Sequence, residues 1–563
     1  MSSMDCKILE LRPDRKLLKS NFDGYKLSLE PVAIIKEALQ MMPDRVHPSE
    51  AQYSFLHAQL FSLQNHLIHD PWTNDTCYYI DTNWTVKRIQ YNLQEGRFKP
   101  IASVFHVKRT SERLPGHFNL TMVFISEKFA AIADGTAWIE IVDTGDRTKG
   151  QEWKQVLQMR VLPDEKSGFV LKDARLEIQQ ESRYIHCLLM RVEQAEGAFE
   201  SVLEWIAIDL TGKAVKLRRE MRSKSSISYS AFTSNSSGVI VAAGKTVKFT
   251  YDSENPIIKE DNQENGQKTD YTWKQTEEDV VITFHEREGA EKANFHVKCT
   301  AQNICVKYKD EILIDGDIFG RIDVDLTTWN LQNRTFQVTL VKAVEGEKWL
   351  HLIPEGPLED FLGKMDEMVE DSAGNQTGIS SLDTQMEDCD RGDEDAEYFV
   401  AKFDGGSHKV THKANLGNCS PLFDVTLRPG HPAALALRQD VDCCLWLPCQ
   451  MPSEWLLRHE GTLDAFAYVL ASKQQRKYVS CSPDMAYAVI CEPERHVFIY
   501  KSKYETAAGL RKRSGGPQVT LGQQKVVSLE DAGGQVIGMN VLNEVTLLLT
   551  EKFILCLQIN TEQ

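Results

Sequence analysis

Hydrophobic residues recur at every second position in many short segments of this chain. Between residues 271 and 349, for example, Val280, Ile282 and Phe284 lie on one face of a segment that polar residues bound. The alternation recurs further along: Phe295 with Val297, then Ile304 with Val306 and Tyr308. A period of two indicates β-strands, and about seven short strands in about 80 residues are typical of a two-sheet sandwich. Residues 271–349 are therefore predicted to form a small all-β module.

The two flanks of this module show a related pattern. An apolar strand is followed by a turn rich in Ser, Asn, Asp or Gly and then by a second apolar strand, as in ISYSAFTSNSSGVIVAAG and EVTLLLTEKFILCLQIN. Such strand pairs, at roughly 40 to 60 residues per unit, are typical of β-propeller blades. The Trp-Asp dipeptide of common propeller repeats is absent. We therefore predict a divergent β-propeller of about seven blades, with six or eight as alternatives.

Neither flank looks like a complete propeller by itself. We predict an all-β chain in which the sandwich is inserted into one propeller, whose last strands complete a blade begun by the first, because ring closure removes exposed sheet edges. Two independent β domains are the alternative. The predicted parts are a propeller portion at 1–265, the sandwich at 268–356, a short helix with an acidic, disordered linker at 357–397, and a second propeller portion at 398–563.

Negative charge is concentrated in one segment. Residues 355–397 contain fifteen Asp or Glu against Lys364 and Arg391, so they carry −13 of the formal net charge of −17. The rest of the chain is nearly balanced and shows no basic face, so direct nucleic-acid binding through phosphate neutralisation is not expected. The short basic cluster at 511–513 is interpreted as a solvated loop, with a nuclear localisation patch as the alternative.

Targeting and cysteine patterns indicate the compartment. The chain has no apolar run of about 18 residues and no apolar leader near its start, so neither membrane insertion nor secretion is expected. Its thirteen cysteines include no C-x-x-C pair. They are interpreted as reduced thiols, which predicts a location in the cytoplasm and nucleus.

No sequence motif for catalysis stands out. The segment 238–246 resembles a phosphate-binding loop, but it has five residues between its glycines where the motif needs four, and its interior is β-branched. Two histidine pairs have spacings that could bind a metal, His66 with His69 and His408 with His412. Neither pair is accompanied by a cluster that could supply a third ligand. We therefore expect a non-enzymatic protein without a cofactor or a metal site.

The opening of the predicted sandwich resembles a known family. Its sequence YTWKQTEED, residues 271–279, is similar to the Y-x-W-x-Q-T-x-x-D/E opening of the CS domain of the NudC family, a fold shared with the Hsp90 co-chaperone p23. Later family positions match Trp329 and Trp349. The resemblance identifies six residues that define the module or border a protein-binding face: Tyr271, Trp273, Gln275, Thr276, Trp329 and Trp349. The four aromatic rings are expected to lie mainly in the core between the sheets.

The resemblance also implies a function. NudC-family proteins assist Hsp90-linked maintenance of client proteins, with a preference for clients that contain β-propellers. A co-chaperone or adaptor that binds such clients through its CS domain and its propeller is thus expected, with Hsp90 as a further partner. The alternative is a stable scaffold subunit that binds mainly through the propeller and has no chaperone activity.

Overall fold

The computed structural model describes residues 6–559 apart from 111, 163–167, 181, 196, 258–270, 285–291, 310, 333–334, 347–348, 350–351, 354–396, 452–453, 503–509 and 512–517. The chain forms two compact units, one comprising residues 1–257 and 381–563 and the other residues 258–380. The expected helix after the sandwich and nearly all of the acidic linker lie outside the described residues, as does most of the 511–513 cluster.

The first unit begins with strands that pair with much later parts of the chain. These strands are β1 (Lys7–Ile8), β2 (Phe22–Leu27) and β3 (Ala33–Ala38). They join the edges of three different sheets: β1 pairs with a strand at 410–417, β2 with one at 518–528 and β3 with one at 553–558. The N-terminal segment therefore covers sheet edges that would otherwise be open to pairing with other chains.

Three antiparallel sheets follow, each built mainly from consecutive strands. Blade 1, preceded by α1 (Phe55–Ser62), contains β4 (Ile68–His69), β5 (Thr76–Ile80), β6 (Thr85–Asn92), β7 (Arg97–Phe98) and β8 (Ala102–His106). Blade 2 contains β9 (Thr121–Phe124), β10 (Phe129–Ala133), β11 (Trp138–Asp143) and β12 (Lys154–Arg160). Blade 3 contains β13 (Val170–Gln179), β14 (Ser182–Ala195), β15 (Ala198–Asp209) and β16 (Ala214–Ser223).

Blade 4 is interrupted by the second unit. The strands around the interruption are β17 (Ile227–Phe232), β18 (Gly238–Ala243), β19 (Val247–Asp252), then the seven strands of the second unit, then β27 (Tyr398–Asp404) and β28 (Val410–Gly417). Strand β18 pairs directly with β27, so that Val241 lies opposite Ala401 although 160 positions separate them in the sequence. Strand β19 leaves this sheet and becomes a fifth strand of blade 3. The predicted insertion of the sandwich into one propeller is confirmed.

Three further sheets complete the first unit. Blade 5 contains β29 (Phe423–Val425), β30 (Ala434–Gln439), β31 (Asp442–Gln450) and β32 (Trp455–Leu463), and α2 (Phe466–Ala471) follows it. Blade 6 contains β33 (Tyr478–Cys481), β34 (Tyr487–Cys491), β35 (His496–Lys501), β36 (Leu510–Arg511) and β37 (Gln518–Ser528), and blade 7 contains β38 (Val536–Val541), β39 (Val545–Thr550) and β40 (Phe553–Gln558) together with β3.

The seven sheets pack on one another in a ring. Within the described residues, each of seven apolar clusters joins one blade to the next, and the last cluster packs Ile537 and Leu547 of blade 7 against Cys77 and Tyr79 of blade 1. Blades are thus covered on both faces, which explains why a strand such as β39 is buried at all of its positions and has no alternation. The predicted seven-bladed propeller is confirmed, and β3 closes it by pairing with β40.

The second unit is a two-sheet sandwich. Its strands are β20 (Tyr271–Gln275), β21 (Asp279–Phe284), β22 (Phe295–Thr300), β23 (Asn303–Tyr308), β24 (Glu311–Asp317), β25 (Ile322–Gln332) and β26 (Thr335–Lys342). One sheet has the order β20-β21-β26-β25, and the other has the order β22-β23-β24. The inner faces share one apolar core, in which the rings of Phe295 and Phe336 stack with centroids 3.9 Å apart. This arrangement confirms the predicted sandwich.

Helices are few and short. Besides α1 and α2, the described residues include 3-10 turns at Arg15–Leu17, Arg147–Lys149 and Lys292–Asn294. Within the described part of the chain, no helix is long and apolar enough to cross a bilayer. The twelve described cysteines are all unpaired.

Candidate protein-binding surfaces

The side chain of Gln275 holds the end of the sandwich to its beginning. It hydrogen-bonds the backbone of Trp349, and Lys342 Nζ donates to its Oε1 at 2.9 Å. The neighbouring Thr276 organises the turn between β20 and β21, because its Oγ1 accepts the backbone N–H of Asp279 at 2.9 Å. Both side chains therefore shape the module through hydrogen bonds.

Three of the four aromatic residues singled out from the sequence are buried in the sandwich core. Tyr271, Trp273 and Trp349 are almost completely inaccessible and belong to one apolar cluster. Burial raises the pKa of the Tyr271 hydroxyl to about 12. These rings fix the two sheets relative to each other, as expected for large aromatic side chains on inward positions.

The expectation that all four rings lie mainly in the core is wrong for Trp329. Its side chain is 42% exposed. It lies on β25, which is the last strand of its sheet, opposite the buried Val338 of β26. An inward position on an edge strand is covered from one side only, so the ring remains open to solvent. Sequence periodicity identifies the face of a strand but does not reveal whether the strand is at an edge.

Trp329 is accompanied by other exposed apolar residues on the same strand. Val324 is also exposed, and Leu326 is 58% exposed. The pairing of β25 with β26 shifts register between Asp323 and Thr328, and this irregularity turns the intervening residues out of the regular ladder. We call Val324, Leu326 and Trp329 the β25 edge. Within the described residues no further strand pairs with its outer side.

The β25 edge has the properties of a peptide-docking site. An edge strand offers unpaired backbone groups to an added strand, and exposed apolar side chains give an incoming segment something to bury. Val324 and Leu326 were missed at the sequence level because the register shift that exposes them leaves no periodic signal. The exposed residues Asp323 and Asp325 alternate with Val324 and Leu326, so the edge combines apolar contacts with negative charge.

The propeller contributes a second candidate surface, its central channel. A cavity of about 1230 Å³ is lined by residues of the innermost strand of every blade, β4, β9, β13, β17, β29, β33 and β38. The segment that contains α1 precedes the innermost strand β4 and contributes Phe55 and Leu63 to the lining. A channel of this size can admit a peptide segment or a small polar ligand.

The segments that resemble a phosphate-binding loop or a metal-binding histidine pair have structural roles. The segment 238–243 is the buried strand β18 rather than a phosphate-binding loop. His408 Nε2 lies 2.7 Å from Asp252 Oδ2, and His69 Nδ1 lies 3.1 Å from Asn540 Nδ2, so the predicted histidine pairs have separate partners. Among the residues that the structure describes, no three metal-binding side chains come together.

Comparison with known proteins agrees with these two units. Residues 269–342 match the family model described as the CS domain. NudC domain-containing protein 1 from Mus musculus is 27% identical to this chain, and the alignment covers 99% of this chain and 100% of that protein. The protein of the same name from Xenopus tropicalis is 28% identical, and the alignment covers 98% of each. The similarity predicted from the YTWKQT segment is therefore confirmed, and it extends over nearly the full length.

Solved structures also resemble parts of the chain. A nuclear movement protein from E. cuniculi GB-M1 is 28% identical over 15% of this chain and 98% of its own, with a TM-score of 0.14. The β-propeller domain of Cps50 (Swd1) from Myceliophteria thermophila is 8% identical over 88% of this chain and 97% of its own, with a TM-score of 0.35. The CS-domain match and the similarity to NudC domain-containing protein 1, rather than these structures, point to protein binding as a co-chaperone or adaptor.

Proposed function

We propose that this protein, which is similar to NudC domain-containing protein 1 along nearly its whole length, is a non-enzymatic co-chaperone or adaptor that binds client proteins. The clients are proteins that contain β-propellers, and the activity is linked to Hsp90. The β25 edge makes the first contact with a client. The protein works in the cytoplasm and nucleus, where the twelve described cysteines, all unpaired, remain reduced.

The observation that carries this proposal is the exposure of Leu326 and Trp329 on an edge strand. Large apolar side chains on the surface of a domain are common singly, but a row of them on an open sheet edge marks an interaction site. A client whose blade is incompletely formed offers both a complementary strand and apolar side chains. Pairing with β25 would protect that strand until the client completes its own sheet.

The buried part of the sandwich supports this role by rigidity. Trp273 and Trp349 fill the core, and the Gln275 side chain holds the last part of the module in place. A rigid edge loses little conformational entropy when a partner binds. The module-defining residues therefore act by keeping the β25 edge in shape, whereas the exposed residues make contact.

The test is quantitative affinity purification from cells of the intact chain and of a variant in which a flexible linker replaces residues 271–349, after both are shown to fold. The proposal predicts that client proteins and Hsp90 are lost with the module. A point variant, Leu326→Ser, should lose most of the client signal, whereas Ile312→Ser, which alters a similarly exposed residue of the other sheet, should retain it.

The second candidate function is a stable scaffold that binds through the propeller. The observation that favours it is the central channel, which all seven blades line. In that case one assembly would co-purify in stoichiometric amount with both the intact chain and the module-replaced variant. Persistence of the same partners after module replacement would therefore reject the co-chaperone function in favour of the scaffold.

A further inference from the structure

The central channel carries charge of the opposite sign to the chain as a whole. Among its described lining residues the basic side chains are Lys172, Arg175, Lys224, Arg476 and Lys477, and the acidic ones are Asp173 and Asp424. The complete chain has a net charge of −17. A cationic cavity with low-dielectric walls focuses the electric field and attracts an anionic ligand, even in an acidic protein.

The acidic side chains neutralise only part of this charge. Asp173 is used internally, since it accepts the backbone N–H of Phe232 at 2.9 Å and lies 3.4 Å from Arg175 Nε. Lys172, on the innermost strand β13, has no hydrogen bond or ion pair with any described residue. Burial within the channel lowers its pKa, and the carboxylate of Asp424 offsets part of that effect. Lys172 thus lines the channel as an accessible cation that an anionic ligand could pair.

Cations and exposed apolar side chains line the channel on the segments that precede its innermost strands, and we call this part of the channel the mouth. Lys224 lies just before β17, and Lys477 lies just before β33. Both line the cavity together with Phe55 and Leu63, which are 51% and 60% exposed. Burial lowers the pKa of nearby His66 to about 3, with further lowering by Arg45 and Lys477, which agrees with a cationic environment.

We propose that this mouth binds an acidic peptide segment of a partner protein, with carboxylates facing Lys224 and Lys172 and an apolar side chain packed on Phe55 and Leu63. An inorganic anion would leave the exposed apolar residues unused, whereas a peptide uses both features. The inference deepens the adaptor function by naming the chemistry of the propeller's partner. It does not depend on the β25 edge, so the two can fail separately.

The test uses the full chain and a fluorescein-labelled synthetic peptide of Asp and Glu residues with one Phe and one Leu. Fluorescence anisotropy should show saturable binding that weakens as salt rises, because exposed charge contacts are screened. The same peptide with Asn and Gln in place of its acids should bind at least about tenfold more weakly.

Two variants and one control locate the site. Lys224→Glu reverses an exposed charge at the mouth, and Lys172→Met removes the cation on the channel wall; each should weaken binding about fivefold or more. Lys248→Glu makes the same charge change on β19, the outermost strand of blade 3, and should bind like the unmodified protein. Because Lys224 is exposed, its variant remains informative even if Lys172→Met does not fold.

Three outcomes would overturn the inference: absence of saturable binding, equal binding of the amide peptide, or equal weakening by Lys224→Glu and Lys248→Glu. Displacement of the peptide by a single-stranded oligonucleotide at equal concentration would also contradict it. Peptide binding should persist in Leu326→Ser, which alters the β25 edge. Loss of client binding in Leu326→Ser with intact peptide binding would show that the two surfaces act independently.

Discussion

The side-chain amide of Gln275 pairs with both backbone groups of Trp349. Its Nε2 donates to the Trp349 carbonyl oxygen at 2.7 Å, and its Oε1 accepts the Trp349 N–H at 2.9 Å. The amide therefore substitutes for a neighbouring strand and fixes a residue 74 positions later in the sequence. The glutamine of the YTWKQT segment therefore has a structural role: it completes the sandwich where regular strand pairing ends.

Replacing Gln275 should weaken the sandwich specifically. Gln275→Ala removes these hydrogen bonds and the acceptor for Lys342 Nζ, so it should destabilise the module by about 2 kcal/mol. In the full chain, hydrogen exchange of the amides in β20 and β21 should become about 30-fold faster, while the propeller amides are unchanged. Gln337→Ala, which alters an exposed glutamine on β26, should change exchange by less than about threefold. Equal effects of the two variants would contradict the role assigned to Gln275.

A buried ion pair joins blades 1 and 2. Arg147 Nε lies 2.7 Å from Asp70 Oδ2, Arg147 Nη2 lies 3.1 Å from Asp70 Oδ1, and both side chains are buried. Arg147→Ala leaves the Asp70 charge unpaired and should destabilise the propeller by about 3 to 5 kcal/mol. Arg147→Lys should restore little, since lysine cannot make the two-point contact.

The control for this pair is Arg97, whose contact with Glu95 is exposed on both sides. Arg97→Ala should change stability by no more than about 0.5 kcal/mol. Thermal unfolding of the propeller transition, followed by circular dichroism, separates the two expectations. A shift in midpoint that is no larger for Arg147→Ala than for Arg97→Ala would show that the buried pair is unimportant.

Glu140 on β11 should make the propeller less stable as the pH rises. Its side chain is about 2% exposed, and burial raises its pKa from 4.5 to about 7. The folded protein therefore keeps the proton up to about pH 7, whereas the unfolded chain releases it near 4.5. The contribution of Glu140 to the free energy of unfolding is fully present below pH 4.5. It is lost as the pH rises through 7, and the total loss is about 3 kcal/mol.

The Glu140→Gln variant should remove this dependence. Relative to the unmodified protein, its propeller midpoint should be nearly equal at pH 4.5 and clearly higher at pH 8. Glu544→Gln, which changes an exposed carboxylate, should follow the unmodified protein at both values. The midpoint of Glu140→Gln should exceed that of the unmodified protein by an amount that grows with pH. If this difference does not grow, Glu140 is already ionised in the folded protein at neutral pH.

Closure of the ring by β3 can be tested with two neighbouring residues. Ile35 packs against the cluster that joins blades 7 and 1, whereas Ile34 points outward and is exposed. Ile35→Asp introduces a charge into that apolar contact and should destabilise the propeller by about 3 kcal/mol. Ile34→Asp should change stability by less than about 1 kcal/mol. Similar midpoints for both variants would argue against a stabilising role for β3.

The sequence predicts much of the architecture because local patterns carry it. Alternation at Val280, Ile282 and Phe284 identifies a strand with one buried face, and all three residues are buried as expected. Repeated strand pairs likewise predict about seven blades and the interruption of one propeller. The YTWKQT segment leads to Gln275, whose contact with Trp349 explains why a glutamine is needed there.

Other features depend on contacts between distant segments and have no local signal. Strand β19 follows blade 4 strands in the sequence but pairs with β16 of blade 3. The channel cations Lys172, Lys224 and Lys477 lie on different blades and meet only once the ring has closed. Trp329 and Leu326 are exposed because β25 is an edge strand, and sheet order is a property of the fold rather than of any single strand.

If the β25 edge binds clients, it should suppress the aggregation of a client protein. A thermally destabilised β-propeller protein is heated with the full chain, and light scattering is followed for the unmodified protein, Leu326→Ser, Trp329→Ser and the control Ile312→Ser. The unmodified protein and Ile312→Ser should suppress aggregation, whereas both β25 variants should not. Equal suppression by all four proteins, or by none, would contradict the proposal that the β25 edge binds and protects clients.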